Sequence, residues 1–552
     1  MVKYTSHKGS NVGSNPTGFT MLLFLIILTL CCTIFFILVS NFFKIKQDMV
    51  RSISLVSSII CFFISIFFWI LFDRSSSQYQ FTSYEIYTTL NSTFFLQVIN
   101  VIYEINKILK YNKYDFFLIQ ELNSLTVSID ILYFQQFIIS FGIDGISLFF
   151  ILLSTFITPL CLLTSYKRNL IFIKEYCLSL LLLELFLIFS FVSTDLISFF
   201  IFFESILIPM FFLIGVWGSR ERKIKASFFF FLYTLFGSIF LFFSILVLYY
   251  DIGTTNFNIL SKSQVNSDKE LFLWFLMYLA FSIKIPTIPM HIWLPEAHVE
   301  APTAGSVILA GLLLKLGGYG FIRILLTVLS KSTFFFLPLT DTFAIISIIY
   351  ASLTTIRQID MKRIIAYSSV AHMNLVVLGI FSGNIQGISG SIFLMIAHGI
   401  VSSALFFLIG VLYDKYGTRI IYYYGGLVQT MPLFAFQLLV FSMANIGLPG
   451  TCNFIGELVV FIGLVDRNII ILVISVTGVV LSVLYTMFFC NRLIFGNLNT
   501  EYISNYKDIT FRELCIISPL TLLTLFLGFY PDVIFDTVLA SVSMNVEQQN
   551  YL

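Results

Sequence analysis

The stretch KIPTIPMHIWLPEAHVEAPTAGSVILAGLLLKLGGYG, residues 284–320, decides how the chain is built. It opens on Lys284 at the end of one apolar run, breaks at Pro286 and Pro289, and resumes as a second apolar run with Lys315 inside it. Proline removes a backbone donor from an interior helical turn. Unwound backbone survives at membrane depth only where protein or a water-filled cavity satisfies it. A broken helix flanked by charges that cannot easily reach water therefore reads as a functional device.

Outward from this stretch the chain is 58% hydrophobic and 11% charged over 552 residues. A soluble protein uses roughly 25% charge to keep its surface wet, and a mean hydropathy of +0.95 leaves no solvated exterior. The expected fold class is an all-α polytopic membrane protein. Apolar runs of about 20 residues, the length that crosses a bilayer, fall near 20–43, 50–72, 146–166, 172–193, 195–217, 226–250, 271–290, 304–327, 333–356, 363–381, 387–412, 431–464, 468–490 and 513–530, giving about 14 transmembrane helices. They are long and apolar all round, unlike the alternating strands of a barrel. The first run lacks a small-residue cleavage site close behind it and reads as a retained helix. Residues 1–72 then hold an N-terminal tail and two helices, and 73–145 an extramembrane insertion with an amphipathic helix at YEINKILKYNKYDFF (103–117). Residues 146–530 form the transmembrane core and 531–552 a polar tail.

A net charge of +2 provides no basic field for nucleic acid, and the eight cysteines include no Cys-x-x-Cys pair for zinc or an iron–sulfur cluster. With 14 spans the loops sort into two sides. One side carries 18 of the 31 Lys and Arg and the other ten, six of which lie in long segments that weigh little towards orientation. Both termini are expected on the side away from the matrix or cytoplasm. The 65 phenylalanines exceed what packing requires and fit the codon bias of an AT-rich organellar genome.

Ionisable groups inside spans cost enough to be functional hypotheses by default. They are Glu175, Glu184, Asp195, Glu204, Lys284, Lys315, His372, His398 and Glu457. Glu175 and Asp195 sit at span ends, where an interfacial role suffices, and Glu184 is open between a packing pair and a functional group. Glu204, in FFIFFESILIPMFF (199–212), has apolar residues on both sides, and Glu457 follows a second helix-breaking sequence in NIGLPGTCNFIGEL (445–458). The histidines read equally well as helix–helix hydrogen bonds. The set contains no nucleophile beside a base and suits a proton relay. Opposite charges about 4 Å apart at an effective dielectric of ~20 interact by about 4 kcal/mol, enough to carry a lysine between its charged and neutral forms. Breaks in helices 7 and 12, five spans apart, suggest two inverted five-helix repeats, about 172–327 and 333–490, with sites near the midplane.

The same residues belong to longer motifs: FGIDGISL (141–148), FESILIPMFFLIGVWG (203–218), the 284–320 stretch, DMKRIIAYSSVAHMN (360–374), IAHGIVSSALFFLIGVLYDKYGTR (396–419) and GLPGTCNFIGEL (447–458). Over roughly 141–530 the chain resembles the antiporter-like membrane-arm subunits of respiratory complex I, the proton-pumping NADH:ubiquinone oxidoreductase. The resemblance implies that Glu204 pairs with Lys284 and that Lys315 is the central lysine of the eighth helix. It also implies that Glu457 occupies the twelfth-helix site, where two of the three antiporter-like subunits carry lysine. His372 and His398 would hydrate or extend a row in which the proton passes along Lys284, Lys315, His398 and Glu457 once the Glu204–Lys284 pair opens. His291 and His298, with Glu296 and Glu300, could pass for a metal site, but the resemblance implies structure or proton access.

The resemblance further implies a subunit of an NADH:ubiquinone reductase with no redox centre and no cofactor of its own; FMN, iron–sulfur clusters and ubiquinone belong to the rest of the complex. Its partners would be the other membrane-arm subunits, including the two paralogous antiporter-like ones, with accessory subunits at 73–145 and lipids such as cardiolipin. The implied location is the mitochondrial inner membrane, with both termini on the intermembrane-space side. Two alternatives are a subunit of a multi-subunit cation/proton antiporter, which shares the fold, and a structural member whose buried charges only hold helices together.

Overall fold

In the computed structural model the described residues are 16–42, 46–83, 140–166, 171–263, 265–499, 502–503 and 506–551. The amphipathic helix expected at 103–117 lies outside them. Helices α1 (Pro16–Phe42), α2 (Gln47–Leu71), α3 (Gly145–Thr164) and α4 (Ile173–Val192) precede a helix split into α5 (Leu196–Ser205) and α6 (Leu207–Trp217). Next come α7 (Lys223–Ile252), α8 (Ser267–Lys284), the short α9 (Trp293–Glu300) and α10 (Thr303–Val328). The second half holds α11 (Leu337–Arg357), α12 (Met361–Ile380), α13 (Ile385–Tyr416), α14 (Pro432–Ile446), α15 (Cys452–Arg467), α16 (Ile469–Leu493), α17 (Phe511–Phe529) and α18 (Asp532–Tyr551). Among the described residues, 12 helices are long and apolar enough to cross a membrane, with α5 and α6 counted as one. The two expected spans outside that set are the interrupted ones. Span 271–290 stops being helical after Lys284, and 431–464 divides into α14 and α15.

Local chemistry sets several helix ends. Asp144 caps α3 in a reciprocal box with Ser147, and Thr510 does the same for α17 with Glu513. Gly253 and Gly417 end α7 and α13 in the left-handed conformation. A strand β1 (Gln80–Ser83) pairs antiparallel with β2 (Phe141–Ile143), so the chain on either side of residues 84–139 is held together in front of α3.

Apolar side chains fill the interior and also cover the outer surface. The apolar windows of α10 and α13 are 100% buried, whereas those of α1 and α16 are 22% buried and face outward. Lipid is as apolar as leucine, so helix contacts favour small and polar residues, which let backbones approach. At Gly317 of α10 a Cβ would stand 2.7 Å from Ile285 Cγ1 and 3.0 Å from Ile285 N. Glycine is what allows α10 to lie against the broken end of α8.

The reading of 531–552 as a polar tail is corrected. These residues form α18, which buries Ile534, Val538 and Val542, while Ser541 accepts from the Gly145 N–H at 3.2 Å. The apolar residues recur every four positions, a helical stripe that the polar average of the segment conceals.

Candidate functional site

The buried charges sit where their helices are disturbed. Glu204 lies in the last turn of α5, and Pro209 in α6 has no N–H to offer the Ser205 carbonyl, so the ladder breaks at Ile206. The Glu204 Oε1 is buried without a hydrogen bond, and Ser238 of α7 and Lys284 lie within electrostatic reach. Lys284 ends α8 and is buried, and its Nζ stands 4.2 Å from the centroid of the Phe203 ring. The ammonium meets this aromatic face instead of the carboxylate. The pair expected from the sequence therefore stands open.

Beyond Lys284 the unwound backbone is satisfied from the second half of the molecule. Asn374 of α12 donates to Pro286 O at 3.2 Å, and the Ile288 N–H donates to the Ser347 hydroxyl of α11 at 2.9 Å. Trp293 of α9 donates back to Ile283 O at 2.9 Å. Sequence reasoning found the break but not these partners, whose only signal is a polar residue in an apolar helix.

Lys315 is fully buried in α10, which contains π turns at Leu309–Leu313 and Phe321–Leu325. In the first, the Leu314 N–H reaches back five residues to Leu309 O, and the Lys315 ammonium donates to Ala310 O at 2.5 Å. Such bulges favour functional sites because they free backbone groups. The ammonium also meets His398 Nδ1 of α13 at 3.0 Å. With the lysine donating, Nδ1 accepts and the histidine proton resides on Nε2.

From His398 the row continues to His372 of α12, with ring centroids 5.8 Å apart. His372 Nδ1 stands 3.3 Å from Glu457 Oε1 of α15, and its Nε2 is 3.5 Å from the Tyr485 hydroxyl of α16. All four of Lys315, His398, His372 and Glu457 are buried. Gly447, left-handed at the end of α14, packs so closely on Glu457 that a Cβ would stand 2.8 Å from Oε2. The helix break thus makes room for the carboxylate. Sequence reasoning set His372 beside the row, whereas packing inserts it between His398 and Glu457. Tyr485 carried no sequence signal.

Of the remaining histidines, His298 in α9 is fully buried and stacks on Phe406 with centroids 4.7 Å apart, and both its ring nitrogens lack hydrogen bonds. His291 lies against Tyr350 at 5.5 Å. Glu296 pairs with Arg363 at 2.7 Å, and Glu300 lies 3.8 Å from Arg419. These side chains are engaged separately and do not converge.

Residues 193–484 match the family model for NADH:quinone oxidoreductase/Mrp antiporter transmembrane subunits. The chain is 44% identical over 506 residues to the NADH-ubiquinone oxidoreductase chain 4 of Marchantia polymorpha, covering 92% of this chain and 93% of that protein. It is 46% identical to the chain 4 of Prototheca wickerhamii, covering 89% of each. In fold it is similar to a chain of respiratory complex I from Thermus thermophilus, with a TM-score of 0.78, 22% identity and coverage of 95% and 99%. It is equally similar to a chain of the Mrp complex from Dietzia, with a TM-score of 0.78, 16% identity and coverage of 98% and 99%.

Proposed function

The chain belongs to the family of NADH:quinone oxidoreductase and Mrp antiporter membrane subunits, and from that membership we propose that it is the chain 4 member of a proton-translocating NADH-ubiquinone oxidoreductase. It sits in the membrane arm beside the other membrane subunits, and electron transfer from NADH to ubiquinone takes place elsewhere in the complex. The observation that carries the reading is the buried contact series from Lys315 through His398 and His372 to Glu457.

Proton movement follows from the chemistry of that series. Lys315 holds a proton between a carbonyl and an imidazole nitrogen. His398 accepts at Nδ1 and releases from Nε2 towards His372, which passes the charge to the Glu457 carboxylate; water completes the step between the rings. Glu204 and Lys284 act ahead of this limb. When the carboxylate swings to the ammonium it stabilises the charged lysine; when it withdraws, as in the open arrangement over Phe203, the lysine gives up its proton towards Lys315. Moving one charge against 100 mV costs about 2.3 kcal/mol, and an ion pair of this kind is worth about 4 kcal/mol. The switch therefore has energy to spare. The Glu204→Gln variant is expected to assemble and to oxidise NADH with an artificial acceptor, while quinone-coupled proton pumping falls by about 10²-fold. Full pumping in that variant would remove the proposed role.

Two inverted halves, α4–α10 and α11–α16, fit the breaks after Lys284 and after Ile446. The excess of basic residues in one set of loops supports termini on the intermembrane-space side of a mitochondrial inner membrane. Accessory subunits at 73–145 and cardiolipin around the helices complete the proposal. The equal likeness to an Mrp chain supports a second reading as a cation/proton antiporter subunit, which a sodium-dependent flux without NADH would reveal.

A further inference from the structure

Glu184, on α4, is wholly inaccessible, and neither carboxylate oxygen has a hydrogen-bond partner. Among the described residues no lysine, arginine or histidine bears on it; its neighbours are Thr158 and Cys161 of α3 and Cys61 of α2. Ionising a carboxyl here would leave a buried anion with no cation beside it among the described residues and the Thr158 hydroxyl as its neighbouring donor, so the acid form, which carries its own proton, is the less costly of the two.

Polar groups converge on this place from one direction. The buried residues Arg51, Ser54, Ser58, Cys61 and Ser65 of α2 are spaced three and four apart and form a single helical stripe. At one end Arg51 contacts Tyr166 O at 3.2 Å and the exposed Asp48 at 3.1 Å. Further in, Cys61 meets Thr29 of α1 at 3.2 Å and Ser65 meets Thr155 of α3 at 2.8 Å. Pro159 has no N–H, so the Thr155 carbonyl loses its helical donor and receives only the Thr158 hydroxyl at 3.5 Å. That hydroxyl is loosely held beside Glu184.

We propose that Glu184 is a second proton-holding site of this chain, lying off the row from Glu204 to Glu457 and served through the hydroxyl stripe of α2 from its Arg51 end. In unloading, the Glu184 O–H bond breaks and the proton passes to the Thr158 oxygen. That hydroxyl gives its own proton to a neighbouring hydroxyl or a water in the stripe, leaving a carboxylate until the reverse sequence reloads it. The inference rests on the proton-translocation reading of the chain.

The test uses the whole complex reconstituted in vesicles. Glu184→Gln keeps the shape of the neutral acid but cannot release a proton. It is expected to lower the pumping rate by about tenfold with artificial-acceptor NADH oxidation unchanged, and to delete one protonated-carboxyl band from the turnover-minus-rest infrared spectrum. Unchanged pumping and an unchanged spectrum, beside a Glu204→Gln complex that has lost pumping, overturn this proposal alone. Intact pumping in Glu204→Gln overturns the broader reading. Should Glu184→Gln fail to assemble, a Ser58→Ala, Ser65→Ala complex retains Glu184. Its acid band should exchange hydrogen for deuterium more slowly than in the parent, and an equal exchange rate overturns the proposal.

Discussion

The two limbs of the buried row are built on opposite principles. From Lys315 to Glu457 the side chains of four helices lie in contact or nearly so, each held by a partner: Ala310 O and His398 on the lysine, Glu457 and Tyr485 on His372. Glu204 and Lys284, proposed as one functional unit, form no ion pair, and the Lys284 ammonium stands over the Phe203 ring at 4.2 Å. On the proposed reading, the first limb is a conductor held ready and the second a switch resting in one of its positions. A proton pump needs both, because a row in permanent contact from end to end would let protons leak back.

The largest effect is expected at the conductor. Lys315→Arg keeps the positive charge but places there a group that does not deprotonate in proteins; coupled pumping should fall by about 10² or more, on the order of losing a general acid–base group. A vesicle pH-dye assay beside artificial-acceptor NADH oxidation reads this directly, and an active Lys315→Arg complex would mean that Lys315 acts through its charge alone. Next is the position of His372. If it stands in series, His372→Phe, His398→Phe and the double variant should all lose pumping to within about threefold of one another, since residues acting as a unit are not additive. Losses that multiply would place His372 beside the conductor.

The switch is probed by Phe203→Leu, which removes the aromatic face beneath Lys284. A cation–π contact is worth about 0.5–2 kcal/mol, so the closed pair should gain and turnover should change several-fold, with assembly intact. The smallest effect is expected at Tyr485→Phe. The contact to His372 is long at 3.5 Å, and losing a hydrogen bond of this class costs about 1 kcal/mol. A loss in pumping of about fivefold or less is expected there, and a larger one would bring Tyr485 into the conducting path.

Much of this was legible in the chain. Lys284, Lys315, Glu204 and Glu457 stand out because an ionisable residue has no inexpensive place inside an apolar run. Pro286, Pro289 and the GLPG sequence mark breaks through missing donors and left-handed glycine. What stayed hidden depends on lateral contact between helices. His372 and Glu457 are 85 positions apart, and only the packing of α12 against α15 makes them partners. The helix at 532–551 was masked by its polar average, and the break at Ile206 by a proline in so apolar a setting that the run reads as continuous.

Residue order is enough to establish that this chain spans a membrane many times, where its helices are interrupted and which buried charges must be accounted for. Hydrophobicity, proline geometry and the cost of burying charge act residue by residue, with no need of a partner. The order of the row, the open state of its first pair and the lack of a cation beside Glu184 among the described residues come from the packed helices alone. Whether a buried charge is paired, relayed or left by itself depends on which helix lies beside it within a few ångströms, and periodicity along one helix carries no such information.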